Sequence, residues 1–396
     1  MSRAEYRPIP PEATDDFLDV TTYAFRPEAG PDPDYEDVDI AAHPGDAYGM
    51  YVGDELRSVC RHYWLTTTLR DTERTVAGLS AVATPPEYRR RGYVAEMLRA
   101  SLEHYRERGV ELSALWPFKT PFYRRFGWGV CDTFARVTCS PDDLRGVGPV
   151  EGRFERVDED DWTDLRAVDV AFADRYERMI GLDERWYRHR VFDWWGETPY
   201  VYVYYRGDAP RGYLTYRIEH DEERAMQIHH LRFADHEAFR ALIQYCHVHE
   251  DHLDSVRFPC PDDVPVLDVL DDPHEVEVRR VSGSMYRVVD VRRLLDGHPS
   301  PIEARGPVVV EVTDPLAPWN DGRIAIGASA GELSCRPTDA ASDVRCDIAT
   351  LTRLITGHRG AEDLVTLGEL SVDDDAALES LDAMFPPRCG TLLEWF

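Results

Sequence analysis

The chain has 396 residues, of which 74 are acidic and 45 basic, and its formal net charge is −29 at pH 7. A hydrophobic content of 43% and an aromatic content of 11% suffice for packed cores and exclude a disordered chain. The length predicts two or three domains. The acidic excess argues against a nucleic-acid partner, because phosphate contacts need a basic surface.

The basic residues are almost all arginine, and Lys119 is the single lysine. Acid-rich, lysine-poor surfaces suit molar salt, where screening over about 3 Å removes the repulsion between like charges. We therefore expect a halophilic, cytoplasmic protein. The N-terminal stretch lacks the apolar region of a signal peptide, and no run of apolar residues is long enough to predict a membrane span.

Cysteine and histidine patterns give little support to a metal site. The eight cysteines form no CxxC pair, which predicts reduced and mostly buried thiols. The run His247-Val-His249-Glu-Asp-His252 lacks both a cysteine pair and HExxH spacing. A solvated helix end is the favoured interpretation, with zinc as the alternative, and we expect no metal.

The first elements in chain order predict an α/β unit. Residues 15–25 predict a helix that begins at acidic residues. Residues 45–70 predict a β-hairpin that turns at Gly53 and Asp54. Residues 75–84 predict a strand of small residues, which a pair of prolines ends.

The stretch EYRRRGYVAEML, residues 87–98, places three arginines and Gly92 between that strand and a helix. A glycine turn at a helix start exposes backbone N–H groups at the positive end of the helix dipole, which predicts an anion site. Apolar residues then recur at helical spacing up to Gly109 and predict an amphipathic helix: Val94, Met97, Leu98, Leu102 and Tyr105. Residues 110–118 predict the next strand, and a short aromatic helix begins at Thr120.

A second block, residues 152–290, repeats this plan without the basic turn. Where the first block has PPEYRRRG, the second passes through Ala234 and Asp235 directly into a helix over 236–249. We interpret this as an internal duplication in which only the first copy can hold a pyrophosphate. Coincidental similarity between two α/β segments is the alternative.

A third block begins near residue 284. The stretch SMYRVVDVRRLLDG, residues 284–297, predicts a helix, followed by two or more antiparallel strands and another helix. The chain ends on GTLLEWF, and this apolar and aromatic ending predicts a buried terminus, since most chain ends are polar and frayed.

These stretches resemble a known family. AVATPPEYRRRGYVAEML followed by WPFKTPFYRRFGWG resembles motif A and the next segment of GCN5-related N-acetyltransferases (GNAT). More narrowly, the chain resembles the enhanced intracellular survival (Eis) family over its whole length, as a haloarchaeal-type member. DIATLTRLITGHRGAEDLVTLGELSV and the LLEWF ending carry the resemblance in the third block. Val94 departs from the superfamily's preference for Gly or Ala, which matters little where backbone N–H groups bind the phosphates.

The resemblance implies a mixed α/β (α+β) architecture of two tandem GNAT-fold domains, the second degenerate, and a sterol-carrier-protein-like C-terminal domain. The implied limits are 1–150 for the catalytic domain, 151–284 for the degenerate domain and 285–396 for the C-terminal domain. Members of the family are often hexameric, so a homohexamer is an expectation.

The resemblance further implies acetyl transfer from acetyl-CoA to a primary amine within a ternary complex. The acceptor would be aminoglycoside-, polyamine- or lysine-like. The residues implied to bind acetyl-CoA are Val82, Ala83, Thr84, Arg90, Arg91, Gly92, Tyr93, Val94, Ala95, Phe118 and Lys119.

Two catalytic residues follow from the resemblance. Tyr123 aligns with the family's general acid, and its reference pKa of about 10 keeps it protonated at neutral pH. The terminal carboxylate, here on Phe396, is the family's base, acting directly, through a water, or by orienting the amine. Core packing of the Phe-Tyr pair and a merely buried terminus are the alternatives.

An amine pocket should be acidic, and we predict Asp16, Asp19 and Glu394 in it, with Phe25 as an apolar wall. A different class of function also remains open at this stage. The protein could be a non-catalytic regulator that binds acyl-CoA or a lipid.

Overall fold

The computed structural model describes residues 4–30, 43–148, 150–194, 196–220, 222–270, 272–300, 302 and 306–396. Helices flank three β-sheets in this part of the chain. The elements up to residue 139 are β1 (Glu5–Pro8), α1 (Thr14–Phe25), β2 (Asp46–Val52), β3 (Glu55–Leu69), β4 (Thr72–Ala83), α2 (Tyr93–Glu107), β5 (Leu112–Leu115), α3 (Thr120–Arg124), β6 (Gly129–Val130) and β7 (Thr133–Cys139).

The next elements are β8 (Arg153–Arg156), α4 (Trp162–Ala173), α5 (Glu184–Trp186), β9 (Tyr200–Arg206), β10 (Ala209–His220), β11 (Arg224–Phe233), α6 (His236–His247), β12 (Ser255–Pro261), β13 (Glu277–Ser282) and β14 (Met285–Val288). The last elements are α7 (Val291–Leu295), β15 (Val308–Thr313), β16 (Gly322–Ser329), β17 (Glu332–Pro337), β18 (Val344–Asp347), α8 (Ile348–Ile355), α9 (Ala361–Thr366), β19 (Ser371–Val372) and α10 (Asp375–Met384).

Short helical turns connect these elements. A π-helical turn covers Tyr187–Val191. Turns of 3-10 helix cover Pro11–Ala13, Pro27–Ala29, Pro86–Tyr88, Pro141–Val147, Glu159–Asp161, Val266–Val269 and Pro273–Glu275.

Most predicted elements of the first block are present. The hairpin turns between Val52 and Glu55, and α1 covers the helix predicted over 15–25. Helix α2 buries the face that its periodicity predicts, because Met97, Leu98 and the two apolar residues of the next turn are fully buried.

The helix predicted over 284–297 is wrong for its first half. Residues 285–288 form β14, and only α7 is helical. All four residues of β14 are buried because the strand lies between β5 and β6, and a strand covered on both faces lacks the alternation that would have revealed it.

The first sheet has the order β1-β2-β3-β4-β5-β14-β6. Strands β4 and β5 are parallel, and their pairing runs from Val76↔Leu112 to Gly78↔Ala114. Strand β4 continues to Ala83, whereas β5 ends at Leu115. The last third of β4 therefore leaves its parallel partner, and a gap opens between the two strands beyond Gly78.

The second sheet repeats the first strand for strand. Its order is β8-β9-β10-β11-β12-β7-β13, and its one parallel pair, β11 with β12, occupies the place of β4 with β5. The two sheets have the same strand order and the parallel pair at the same place. This agreement favours an internal duplication over a coincidental similarity between two α/β segments.

The two sheets also exchange a strand across the predicted domain limits. Strand β7, from before residue 150, pairs in the second sheet, and β14, from after residue 284, pairs in the first. The three segments are thereby interlocked through their sheets.

The third segment carries a sheet of order β17-β16-β15-β18-β19 with α8, α9 and α10 beside it. One apolar core joins all three segments, since it contains Tyr63, Tyr213, Tyr286, Leu354 and Phe396. Seven of the eight cysteines are buried, and all eight are free thiols, as predicted. Among the described helices, none has both the length and the apolar character needed to cross a bilayer.

Candidate active site

Residues at the end of the β4–β5 pairing contribute to two different cores. Ala77 and Leu79 belong to the core that holds Tyr123 and the buried face of α2, and Val76 belongs to the core that holds Phe396. Successive side chains of a strand point to opposite faces of its sheet. Tyr123 and Phe396 therefore lie on opposite faces of the first sheet.

Phe396 lies directly against Gly78, the last residue of β4 that pairs with β5. A Cβ atom added to Gly78 would stand 3.0 Å from Cε2 of Phe396. The Phe396 ring contacts Tyr63 and Trp186 edge-on, with centroids 5.6 Å and 6.3 Å apart, and only 7% of the residue is exposed. The buried terminus predicted from the apolar ending is confirmed.

The residues just before Phe396 are held in place by side chains of the first two segments. Trp395 stacks on Trp116 with centroids 3.9 Å apart, and the Trp116 indole N–H donates to the Glu394 carbonyl at 2.6 Å. Arg190 donates to the Trp395 carbonyl at 2.9 Å. Direct hydrogen bonds thus hold the carbonyl groups of both Glu394 and Trp395.

Further back, residues 389–392 continue the same attachment. Glu177 exchanges backbone hydrogen bonds with Cys389 and Thr391, and Asp132 accepts from the Leu392 N–H at 2.9 Å. We call residues 389–396 the tail. Although it belongs to the third segment, the tail is bound by residues of the first and second.

Tyr123 lies on the other face, where aromatic rings surround it. It is 3% exposed and contacts Phe118, Phe122 and Trp128. Burial raises the pKa of Tyr123 above its usual value, with the nearby Cys60 adding to the shift. The phenol therefore keeps its proton at neutral pH, which is the state a general acid needs.

The basic turn forms an open anion site at the start of α2. Arg90 and Gly92 adopt positive φ angles of 60° and 87°. In the part of the chain that the structure describes, no side chain caps this helix, and its first helical bond runs from Glu96 N–H to the Gly92 carbonyl. The N–H groups of residues 93–95 come before that bond and therefore have no acceptor within the helix. The space around Gly92 is open, since a Cβ added there would have no atom within 4 Å. These features fit a pyrophosphate.

The equivalent helix of the second copy carries its own anion. The Asp235 side chain caps α6 by accepting from Ala238 N–H, and Arg206 and Arg211 both pair with it. Burial alone would raise its pKa, but these donors lower the pKa of Asp235 to about 2. An internal carboxylate thus occupies the place where the first copy is open, which supports a pyrophosphate site in the first copy alone.

The other residues predicted to bind acetyl-CoA lie around the gap. Residues 82–84 lie at and just past the end of β4, which pairs there with β3 but not with β5. Ser58 Oγ donates to the Ala83 carbonyl, and Arg89 Nε donates to the Thr84 carbonyl. Phe118 is 64% exposed, and Lys119 beside it is exposed.

A cavity of about 610 Å³ lies beside Phe396, because Tyr63 and Trp186 line it and also pack on the Phe396 ring. That volume suits a small organic molecule. Its charged lining comprises Glu73, Arg166, Asp169, Asp183 and Arg185. Nothing in the charge pattern could have distinguished these acids among the 74 of the sequence.

The acids predicted for the amine pocket lie elsewhere. Asp16, Asp19 and Phe25 are exposed on α1, outside the lining of this cavity, and α1 packs through Phe17 near the end of β4. Glu394 requires a correction. Its side chain is 2% exposed, and His230 and Arg232 bind both of its oxygens, so it cannot face an acceptor.

The histidine run ends α6, as the favoured interpretation predicted. His247 is bonded to the Pro141 carbonyl and groups with Asp142 and Glu250. Arg145 already pairs with both of these carboxylates, so a guanidinium supplies the positive charge there.

Comparisons with known proteins agree with this geometry. An acetyltransferase (GNAT) domain matches residues 5–131, a second acetyltransferase (GNAT) domain matches 179–291, and a sterol carrier protein domain matches 291–390. An uncharacterized N-acetyltransferase of Streptomyces griseus is 29% identical over 331 residues and covers 78% of both chains. The N-acetyltransferase Eis of Mycobacterium tuberculosis is 26% identical over 333 residues, covering 78% of this chain and 77% of its own.

Solved structures share the whole fold. A probable N-acyltransferase from Enterococcus faecalis has a TM-score of 0.87, and Eis1 from Mycobacterium abscessus has a TM-score of 0.77. Each is 22% identical, and each alignment covers all of both chains.

Two tandem GNAT domains and a sterol-carrier-protein-like domain define a GCN5-related N-acetyltransferase, a class that takes acetyl-CoA as its acetyl donor. The expected fold class and the expectation of an enzyme are confirmed. Within that class, the chain is similar to the N-acetyltransferase Eis over most of its length.

Proposed function

We propose that this enzyme acetylates a primary amine bound in the 610 Å³ cavity, with acetyl-CoA entering from the opposite face of the first sheet. The observation that carries the proposal is that Tyr123 and Phe396 lie on the two faces of the sheet in which β4 and β5 separate beyond Gly78. Donor and acceptor would meet in that gap.

The donor side is formed by the face of the sheet that α2 covers. The N–H groups of residues 93–95 would bind the pyrophosphate, with Arg90 and Arg91 adding charge. Val82, Ala83 and Thr84 would align the pantetheine along the edge of β4 that β5 leaves free beyond Gly78. Phe118 and Lys119 would flank the pantetheine. Acetyl-CoA, once bound, supplies the acetyl group as a thioester.

The reaction replaces a C–S bond by a C–N bond, so the amine loses a proton and the departing sulfur gains one. Tyr123 keeps its proton because burial raises its pKa, and it would donate that proton to the departing sulfur. The Phe396 carboxylate would hold the ammonium and accept its proton, directly or through a water.

The acceptor class follows from the charged lining of the cavity. Glu73 and Asp183 contribute carboxylates, and Arg166 and Arg185 contribute guanidinium groups, so the cavity suits a polar amine rather than an apolar one. Aminoglycosides, polyamines and lysine side chains are the candidates. Asp16, Asp19 and Phe25 on the exposed face of α1 stay predictions for an acceptor subsite.

A thiol-release assay tests the proposal. Purified enzyme with acetyl-CoA is screened against a panel of these three amine classes in molar KCl, since the composition predicts a halophilic protein. The expected result is amine-dependent release of CoA thiol. Absence of turnover with every amine across the salt range would contradict the proposal. Light scattering in the same buffer tests the homohexamer, which stays a prediction, as does the cytoplasmic location.

A further inference from the structure

The side chain of Glu394 anchors the tail inside the second domain. Arg232 donates to one carboxylate oxygen at 2.7 Å, and His230 Nε2 lies 3.1 Å from the other. Thr215 Oγ1 lies 2.8 Å from His230 Nδ1, so Nε2 can carry the proton that the carboxylate accepts. His230, Arg232 and Thr215 are all 0% exposed. This contact is a buried, charged attachment between the tail and β10 and β11.

The same arginine reaches the wall of the cavity. Arg232 Nε lies 3.6 Å from Asp169, whose carboxylate also accepts from Tyr187 at 2.7 Å and from Tyr213 at 2.9 Å. Asp169 and Tyr187 line the cavity. One guanidinium therefore links the acceptor side of the site to the tail that ends at Phe396.

Glu394 is two residues before the terminus, and the residue between them has little freedom. The Trp116 stack and the Arg190 hydrogen bond fix Trp395 from two sides. A buried carboxylate stays ionised only while its partners remain, because an unpaired buried charge is strongly unfavourable. Without Arg232 and His230, Glu394 would move toward water and draw the terminal residue with it.

We infer that His230 and Arg232 of the second domain are positioning residues that place the Phe396 carboxylate through Glu394. The degenerate copy thus has a specific part in the reaction. Its strands β10 and β11 hold the terminal residue of the chain against the first copy. This inference rests on the proposed role of the Phe396 carboxylate.

The test compares Glu394→Gln with a matched control. Glutamine keeps the shape and removes the charge, and Arg232→Lys keeps the charge with fewer donors. Asp314→Asn is the control, because Asp314 is a buried acid paired with the equally buried Arg287 and does not contact the tail. We expect Glu394→Gln to lower kcat about tenfold with the acetyl-CoA KM within about twofold. Arg232→Lys should lower kcat less than Glu394→Gln does. Asp314→Asn should lower the melting temperature but leave kcat unchanged.

A one-residue extension after Phe396 separates the inference from the proposed function. If the extension lowers kcat and Glu394→Gln adds no further loss in the extended enzyme, Glu394 acts through the terminus. If the fold-losses of kcat from the extension and from Glu394→Gln multiply in the combined variant, the positioning role is overturned while the role of the carboxylate stands. The same conclusion follows if Glu394→Gln lowers kcat no more than Asp314→Asn does. If the extension changes nothing, the proposed role of the carboxylate fails, and the inference fails with it.

Discussion

The indole of Trp395 stacks on that of Trp116, with planes only 14° from parallel. Trp116 directly follows β5, and Phe396 rests on Gly78 of β4. The last two residues of the chain therefore bridge the two strands where they separate.

Gly78→Ala should displace the terminal residue. The new methyl group would stand 3.0 Å from Phe396 and 3.1 Å from Leu65, and contacts that short force a neighbour to move. Overpacking of this kind costs about 1–3 kcal/mol, and we expect kcat/KM to fall at least about tenfold. Steady-state kinetics and urea unfolding measure both effects. Gly306→Ala is the control, since a Cβ there meets nothing within 4 Å, and equal kinetics in the two variants would contradict the contact.

Gly92→Ala should weaken acetyl-CoA binding. The positive φ of 87° strains any residue with a Cβ by about 1–2 kcal/mol, and relief of that strain would rotate the N–H groups of the anion site. We expect the acetyl-CoA KM to rise about tenfold with little change in kcat. Gly297→Ala is the matched control, because Gly297 also has a positive φ, 78°, and a Cβ added there would likewise have no atom within 4 Å. A similar rise of KM in the control would rule out a local cause.

Tyr123→Phe removes one hydroxyl and keeps the ring packing against Phe118 and Trp128. General-acid catalysis contributes about 10²–10⁴-fold, so kcat should fall at least about a hundredfold. Thermal melting should change little. Tyr6→Phe removes the hydroxyl of a partly buried tyrosine that is bonded to His62 and packs against the same core, so it controls for loss of polarity there. Retained kcat in Tyr123→Phe would show that another group protonates the sulfur.

Asp132 makes stability depend on pH. Burial raises the pKa of Asp132 to about 7, against a usual value of 3.8. Between these values the native state holds a proton that the unfolded chain has lost, so stability falls as pH rises from about 4 to 7. The full shift would correspond to a fall on the order of 4 kcal/mol as an upper limit. Urea unfolding across this range at constant KCl should show a flatter profile for Asp132→Asn, and parallel profiles would contradict the assignment.

Local patterns in the sequence predicted the helix and strands that surround the proposed donor side. Helix α2, the glycine turn before it and the strand leading to Ala83 follow from contiguous residues, and the resemblance to the family placed Tyr123 and Phe396. Strand β14 was missed because its partner β5 is distant in sequence and because burial on both faces removes alternation.

The acceptor side depends on contacts that no local pattern encodes. Glu394 was assigned to the amine pocket because it is an acid near the terminus, but its partners His230 and Arg232 are more than a hundred residues away. The cavity is formed by β3 and by residues 179–187 of another segment, and their acids resemble every other acid of this chain. The interlocked sheets bring Glu394 to its two partners and the residues of the cavity lining to one another.

The central claim is that the carboxylate of Phe396 takes part in acetyl transfer. Adding one alanine after Phe396 converts that carboxylate into a peptide bond, and an N-terminal extension of equal length is the control. We predict that the C-terminal extension lowers kcat for amine acetylation at least about a hundredfold, with the acetyl-CoA KM within about twofold. Unchanged kcat in the C-terminally extended enzyme would contradict the claim.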